Sequence, residues 1–395
     1  MAVSFLFHEV SDLCIGKPAL RALPISATVG EALVALRGSR ETFLIVWIAD
    51  RSSPEKKAFA GKICMVDILC YLCSEQNITS PVAALKSPVS SLLSKDGPAL
   101  VRRVDSNSSI LEALNVILEG AHVLLVPIPP AASSSHKKLH HVHRGAGADA
   151  ASSDFCWLTQ EDFARFFFNS IAAFSPIAGL SVTQLGLVRT DNLLAVCYHD
   201  PALLAMPLIR QALVDQTSVA VVTDDRKLIG EISPSTLACC DESVAAALAA
   251  FSAGDLMAYM DWCAAPPQAA LRAVKSLLKE KGMQGMLELM EEKITPPLFS
   301  SSSSSSDEEG SEGGPRKTRS IGRTGSYSAR MGRKSEEAIV CHPGSSLVAV
   351  MVQALAHRVG YLWVVDELDY NLAGVVLLPD ILKLFRNQLD QFFFP

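Results

Sequence analysis

Three residue patterns in this chain have types and spacing that could do chemistry. The first is a seven-residue run, seen as Gly61-Lys62-Ile63-Cys64-Met65-Val66-Asp67, Cys156-Trp157-Leu158-Thr159-Gln160-Glu161-Asp162, Gly230-Glu231-Ile232-Ser233-Pro234-Ser235-Thr236 and Gly374-Val375-Val376-Leu377-Leu378-Pro379-Asp380. Asp67, Asp162 and Asp380 end three of the runs, and Thr159 and Ser233 supply hydroxyls in two. An ionised carboxylate is a strong acceptor with several sites. One turn into a helix, it also caps free N–H groups and complements the helix dipole. The second pattern is Cys70-Tyr71-Leu72-Cys73. A redox pair wants an exposed thiolate at a helix N-terminus. This one falls late in an apolar helix, where core packing is the expectation. The third is the tract His136, His140, His141 and His143. Such tracts can hold zinc. This one lies between Ser and Gly/Ala runs, with no Cys or carboxylate at fixed spacing, and reads as a flexible, weakly basic loop.

The seven-residue run closes a unit that recurs four times, and such repetition argues for a binding module over a single-copy catalytic domain. The unit opens with a short leader, at 10–13, 89–92, 182–185 and 253–257, and continues into an extended segment at 20–24, 100–104, 194–198 and 338–341. An amphipathic helix follows. Val29, Ala32, Leu33 and Leu36 share one face in copy one, Ile110, Ala113, Leu114 and Ile117 in copy two, and Leu347, Val350, Met351 and Ala354 in copy four. Thr28 with Glu31, and Ser109 with Glu112, are capping-box signals. In copy three Pro207 delays or kinks the helix. Near-continuous apolar strands come next at 43–48, 123–128, 219–223 and 361–365, as expected for strands buried on both faces. The last strand and helix occupy 61–72, 156–168, 230–240 and 374–385.

Hydrophobic residues make up 49% of the 395, enough for sizeable cores, and charged residues only 19%. The net charge of −6 leaves no basic face, so nucleic acid is not an expected partner. No secretory or transit signal and no long uncharged apolar stretch is visible. With ten cysteines mostly inside apolar runs, this points to a reducing compartment, cytoplasmic or nuclear. Two insertions interrupt the repeats. One, at 129–153, carries the His tract. The other, at 241–333, holds one expected long helix at 268–293, then seven serines, an acidic patch and a basic stretch. The 299–335 linker reads as disordered, and Ser306, Ser326 and Ser335 within it resemble phosphorylation sites. No G-x-G-x-x-G after a strand, no G-x-x-x-x-G-K-[ST], no H-E-x-x-H and no G-x-S-x-G occurs, so no enzymatic activity is expected.

The repeat order, the leader and the G-x-x-x-x-x-D ending resemble the CBS domain, copy four most clearly. The overall plan is similar to plant CBSX-type proteins and to the four-copy gamma subunits of AMP-activated and SNF1-type kinases. The resemblance implies an α/β (α+β) fold of four β-α-β-β-α repeats paired into two Bateman modules. The first pair would span 1–172 (repeats about 10–75 and 81–172). The second would span 173–395 (repeats about 174–240, and 251–263 plus 336–390). It also implies a regulatory adenosyl ligand, AMP, ADP, ATP or S-adenosylmethionine, in clefts between paired repeats. The run's Asp would accept hydrogen bonds from the ribose diol, the Ser/Thr would support it, and a basic residue before the second strand would meet the phosphates. On that scheme the ligand-binding candidates are Asp162, Thr159 and His122 in copy two, with Asp67, Asp380 and Ser233 elsewhere. Only copy two has a basic residue at the phosphate position. His357 and Arg358 fall about a helical turn too early in copy four. The expected partner is a protein, a kinase or a redox enzyme, with a homodimer through the CBS modules as a further expectation. The alternative is an interaction scaffold with degenerate sites, gamma-like within an SNF1-type kinase complex.

Overall fold

A computed structural model describes residues 8–37, 42–49, 57–93, 100–128, 155–262, 266–291 and 338–393. The 129–153 insertion with its histidines and the 299–335 linker with its serine sites lie outside the described residues.

Each copy folds around a three-stranded sheet whose strands lie in chain order. Copy one contributes β1 (Ala22–Pro24), β2 (Phe43–Ala49) and β3 (Lys57–Cys64), and copy two β4 (Val101–Arg103), β5 (Val123–Pro127) and β6 (Phe155–Thr159). Copy three contributes β7 (Ala195–Cys197), β8 (Val219–Val222) and β9 (Leu228–Ile232), and copy four β10 (Val340–Cys341), β11 (Tyr361–Val365) and β12 (Leu372–Leu377). The first pairing in each sheet is parallel and the second antiparallel. A parallel pairing needs a crossover, which the amphipathic helices Val29–Arg37, Ile110–Leu118, Met206–Asp215 and Leu347–His357 provide. Their predicted apolar faces are buried. Both capping boxes form, with Glu31 N–H donating to Thr28 Oγ1 at 3.1 Å and Glu112 N–H to Ser109 Oγ at 3.2 Å. In copy three the helix accommodates Pro207 in its first turn.

The leaders change partners. Val10 N–H donates to Ser108 O, and Val10 is buried in copy two. Val89 N–H donates to Ala27 O, placing that leader on copy one. Likewise Val182 bonds Ser345 O in copy four, and Ala253 bonds Asp200 O in copy three. A leader next in sequence to one body thus docks on the other body of its pair. Strand and helix periodicity carries no information on that choice.

The four bodies close into a ring. Ile45, Val101, Val123, Leu125 and Trp157 join the sheets of copies one and two, while Ala220 and Val222 share a core with Trp363 and Val375 across copies three and four. Helices make the other two joints. Met65–Leu72 packs on Met206–Asp215, joining copies one and three. Phe167 of copy two stacks on Phe385 of copy four with ring centroids 5.2 Å apart.

The expected helix at 268–293 is two helices, Gln268–Glu280 and Gln284–Glu291. They part at Gly282, whose φ of +68 is open to glycine and ends a helix. Both cover Ser243–Ala250, an alanine-rich helix buried on all sides. Lys281 Nζ donates to Ala249 O and Ala250 O at 3.3 and 2.7 Å, satisfying carbonyls at that helix's end. This insertion therefore thickens the joint between copies one and three. Among the described residues no helix is long and apolar enough to cross a membrane.

The glycine that opens the seven-residue run has a structural cause. A Cβ on Gly374 would lie 2.7 Å from Arg189 O, because the chain after the copy-three leader crosses there, paired to Val375 by two backbone hydrogen bonds of 2.9 Å. At Gly61 the neighbour is instead a side-chain methyl of Leu93, 2.9 Å from where a Cβ would stand. Backbone cannot yield as a flexible side chain can, so Gly374→Ala should cost about 1–3 kcal/mol in urea unfolding. Gly179→Ala, with nothing within 4 Å of the new Cβ, should stay within about 0.5 kcal/mol of the parent. Equal effects at the two positions would contradict the crossing.

Candidate functional site

Strand register brings two chain points of each copy together: the residue before the second strand and the first turn of the closing helix. Phe43 pairs with Cys64, Val123 with Thr159, Val219 with Ile232 and Tyr361 with Leu377. Closure of the ring turns these points inward around one cavity of about 250 Å³. Thr42, His122, Thr217 and Gly360 reach it from before the second strands, and Cys64, Thr159, Ser233 and Leu378 from the closing helices. His122, Thr159 and Ser233, candidates from the sequence, therefore meet in one place.

Two cations, Lys62 and Arg358, also line this cavity. Lys62 stands on β3, its ammonium 4.4 Å from the centroid of the Phe43 ring. Burial lowers its pKa, against the opposing pull of Cys64 and Asp67. Arg358 ends the Leu347–His357 helix in the left-handed conformation, with φ 53, and is among the lining residues. The expectation that it falls a turn too early is thereby corrected. Burial, and then the Lys62 charge, lower the His122 pKa to about 4, so its imidazole is neutral near pH 7. Gln160 Oε1 and Thr217 Oγ1, also in the lining, are buried without a hydrogen-bond partner among the described residues. Unpaired buried polar atoms are uncommon and ask for a partner. Lys62 left a faint mark in the sequence, as the one charge in the run from Phe59 to Ile68 before Asp67.

The three aspartates lie elsewhere. Asp162 Oδ2 accepts the Thr159 N–H at 2.7 Å and the Thr159 hydroxyl at 3.2 Å, and its carboxylate is bonded by Lys17 Nζ at 2.7 Å to Oδ1 and 2.8 Å to Oδ2. Asp380 takes two bonds of 2.6 Å from Arg189. Asp67 Oδ2 accepts the Cys64 N–H at 2.8 Å. Burial raises the Asp67 pKa, opposed by the Cys64 bonds and the more distant Lys62 and Arg210. Ser233 Oγ accepts from Ser235 N–H at 3.2 Å, capping its short helix. In the C-x-x-C, burial pushes the Cys70 thiol up to about 12 and raises Cys73 as well, while Cys73 Sγ donates to Ala245 O at 3.6 Å. Both thiols are core material with no nucleophilic character near neutral pH. Among the described residues no group of three or more His, Cys, Asp and Glu could hold a metal ion.

Two outer clefts adjoin the central cavity. One, of about 930 Å³, shares His122, Gln160, Gln216 and Thr217 with it and extends past Arg189, Trp363 and Leu377. The other, of about 180 Å³, shares Thr42, Phe43, Val123 and Thr159 and reaches Lys17 and Trp157.

Residues 334–387, the body of copy four, match the CBS domain. The chain is 44% identical to the CBS domain-containing protein CBSX5 of Arabidopsis thaliana, over 99% of each. It is 22% identical to the SNF1-related protein kinase regulatory subunit gamma-like PV42b of the same plant, over 96% of this chain and 95% of that one. The crystal structure of MJ1225 from Methanocaldococcus jannaschii has the same fold, with a TM-score of 0.55 at 14% identity, covering 96% of this chain and all of that one. With four like sheets closed in a ring and identity to a CBSX protein sustained from end to end, this chain belongs to the CBS domain-containing proteins.

Proposed function

We propose that this protein is a non-catalytic regulator that holds an adenosine nucleotide at its centre and passes occupancy to a protein partner. The observation that carries the reading is the meeting of Lys62, His122 and Arg358 in one cavity walled by all four copies. Two cations beside an imidazole that can take up a proton suit a phosphate chain, which favours AMP, ADP or ATP over S-adenosylmethionine. The two unpartnered polar atoms, Gln160 Oε1 and Thr217 Oγ1, lie where the cavity opens into the larger cleft. Phosphates in the centre would leave adenine and ribose in that cleft, beside Trp363 and Leu377. A nucleotide touching several copies at once favours whichever ring geometry fits it better, which is how occupancy becomes a signal.

A second reading is a gamma-like scaffold of an SNF1-type kinase complex with degenerate ligand sites. Its support is that Asp162 and Asp380 are already ion-paired within the chain. A redox enzyme as partner and a homodimer through the CBS modules remain alternatives within either reading, in the cytoplasm or the nucleus.

A thermal-shift and calorimetric screen with AMP, ADP, ATP and S-adenosylmethionine separates the two readings. A nucleotide at about 100 times its Kd stabilises the fold by about 2.7 kcal/mol. Lys62→Met removes a desolvated cation, so it should leave the free chain at least as stable and lose most of the nucleotide shift. A screen in which no nucleotide shifts melting, together with recovery of kinase subunits in a pull-down, would favour the scaffold.

The His122 shift gives a pH test. A phosphate beside a neutral imidazole raises its pKa, so binding takes up protons and tightens as pH falls from about 7 towards 5. Calorimetry in buffers of different ionisation enthalpy should show that uptake, and His122→Gln should abolish it. Without ligand the sign reverses. The depressed His122 pKa stabilises the fold above its ordinary value, and that contribution is lost as pH falls through about 4. Nucleotide binding that is independent of pH and of buffer would contradict the role of His122.

A further inference from the structure

We infer that Lys17 and Arg189 are built-in counter-ions that decide where a nucleoside can bind, holding the carboxylates of copies two and four closed to a ribose. This rests on the reading of Asp162 and Asp380 as diol acceptors. A cis-diol would bond a carboxylate with one O–H to each oxygen. Arg189 already does this with two N–H groups, Nε to Oδ2 and Nη2 to Oδ1, each at 2.6 Å. Lys17 Nζ reaches both oxygens of Asp162 and also donates to Trp157 O at 2.8 Å. Hydrogen bonds between ionised partners are about twice as strong as neutral ones, so an uncharged hydroxyl pair competes poorly.

The two cations occupy equivalent places. Lys17 follows Val10, and Arg189 follows Val182, by the same seven positions, each beyond a leader that docks on the partner copy. The backbone pairing of Arg189 with Val375, made possible by Gly374, seats its side chain over the helix that carries Asp380. Leu20 N–H donates to Phe155 O, holding the Lys17 segment along β6 in the same sense. Each cation lines an outer cleft, Lys17 the smaller and Arg189 the larger. Copy three ends its run in Thr236, and the Asp67 carboxylate accepts the Cys64 N–H. In copies two, three and four the run therefore ends in no carboxylate free of a cation partner. A nucleotide is then held chiefly through its phosphates at the centre, and adenosine, which has none, binds weakly.

Adenosine is the probe that isolates this effect, because failure of phosphate binding in the central cavity does not touch it. By calorimetry, Arg189→Gln and Lys17→Gln should each tighten adenosine binding about fivefold or more, the lower end of common coupling between sites. Adding Asp380→Asn to Arg189→Gln should reverse the gain. In the unmodified protein, adenosine affinity should rise with ionic strength. Salt weakens the ion pairs, and an uncharged ligand has no charge interaction of its own to lose. That arm needs no variant to fold. Adenosine bound no better by either variant, or an affinity in the unmodified protein that stays flat or falls with salt, overturns the inference.

Discussion

The contact on which this molecule depends is the crossing of one copy's leader segment over its partner's third strand. At Gly374 two backbones come so close that no Cβ fits between them. Once that crossing is made, much follows. The leader's apolar residues are buried in the partner body, so neither body completes its core alone. For the leaders at Val10 and Val182 the residue seven positions on is delivered to the partner's closing helix, and the two sheets of a pair share a core. The glycine at the head of the run is thus a packing requirement first. Where copy two has Cys156 in its place, Cys14 of the crossing segment packs into the same core.

Pairing then dictates the centre. Parallel-then-antiparallel sheets place the start of the second strand beside the end of the third, and helix packing between pairs turns those points towards one another. The result concentrates groups that a stable core would avoid. Lys62 has its pKa lowered by burial, and Gln160 and Thr217 each keep an unpartnered polar atom. Such groups weaken the free protein unless something fills the space between them. The peripheral aspartates show the opposite tendency, being closed off by cations from within the chain. Polar capacity is spent at the rim and left open at the centre.

Local order was legible because it rests on periodicity and capping. The strand Tyr361–Val365, the helix faces beginning at Val29, Ile110 and Leu347, and the capping boxes at Thr28 and Ser109 are all where spacing puts them. Pro207 sits in a first turn, as its missing N–H requires. The exchange of leaders was not legible, since Val10 would be equally apolar on either body. Nor was the break at Gly282 within the 268–293 segment, where the helical pattern continues on both sides. The candidate site was half visible. His122, Thr159 and Ser233 could be read from the repeat, and they do meet. Lys62 and Arg358 could not, because both enter the cavity through ring closure, which brings copies one and four to a point shared with copies two and three. The ion pairs of Asp162 and Asp380 span 145 and 191 positions of chain, beyond the reach of any local pattern.

The central claim is that four copies build one shared anion site, while the outer carboxylates remain engaged by Lys17 and Arg189. A crystal structure grown with ADP tests it most directly. The account predicts phosphate density among Lys62, His122 and Arg358, with both ion pairs intact. A nucleotide whose ribose sits on Asp162 or Asp380 with the cation displaced, or whose phosphates lie outside the central cavity, would contradict it.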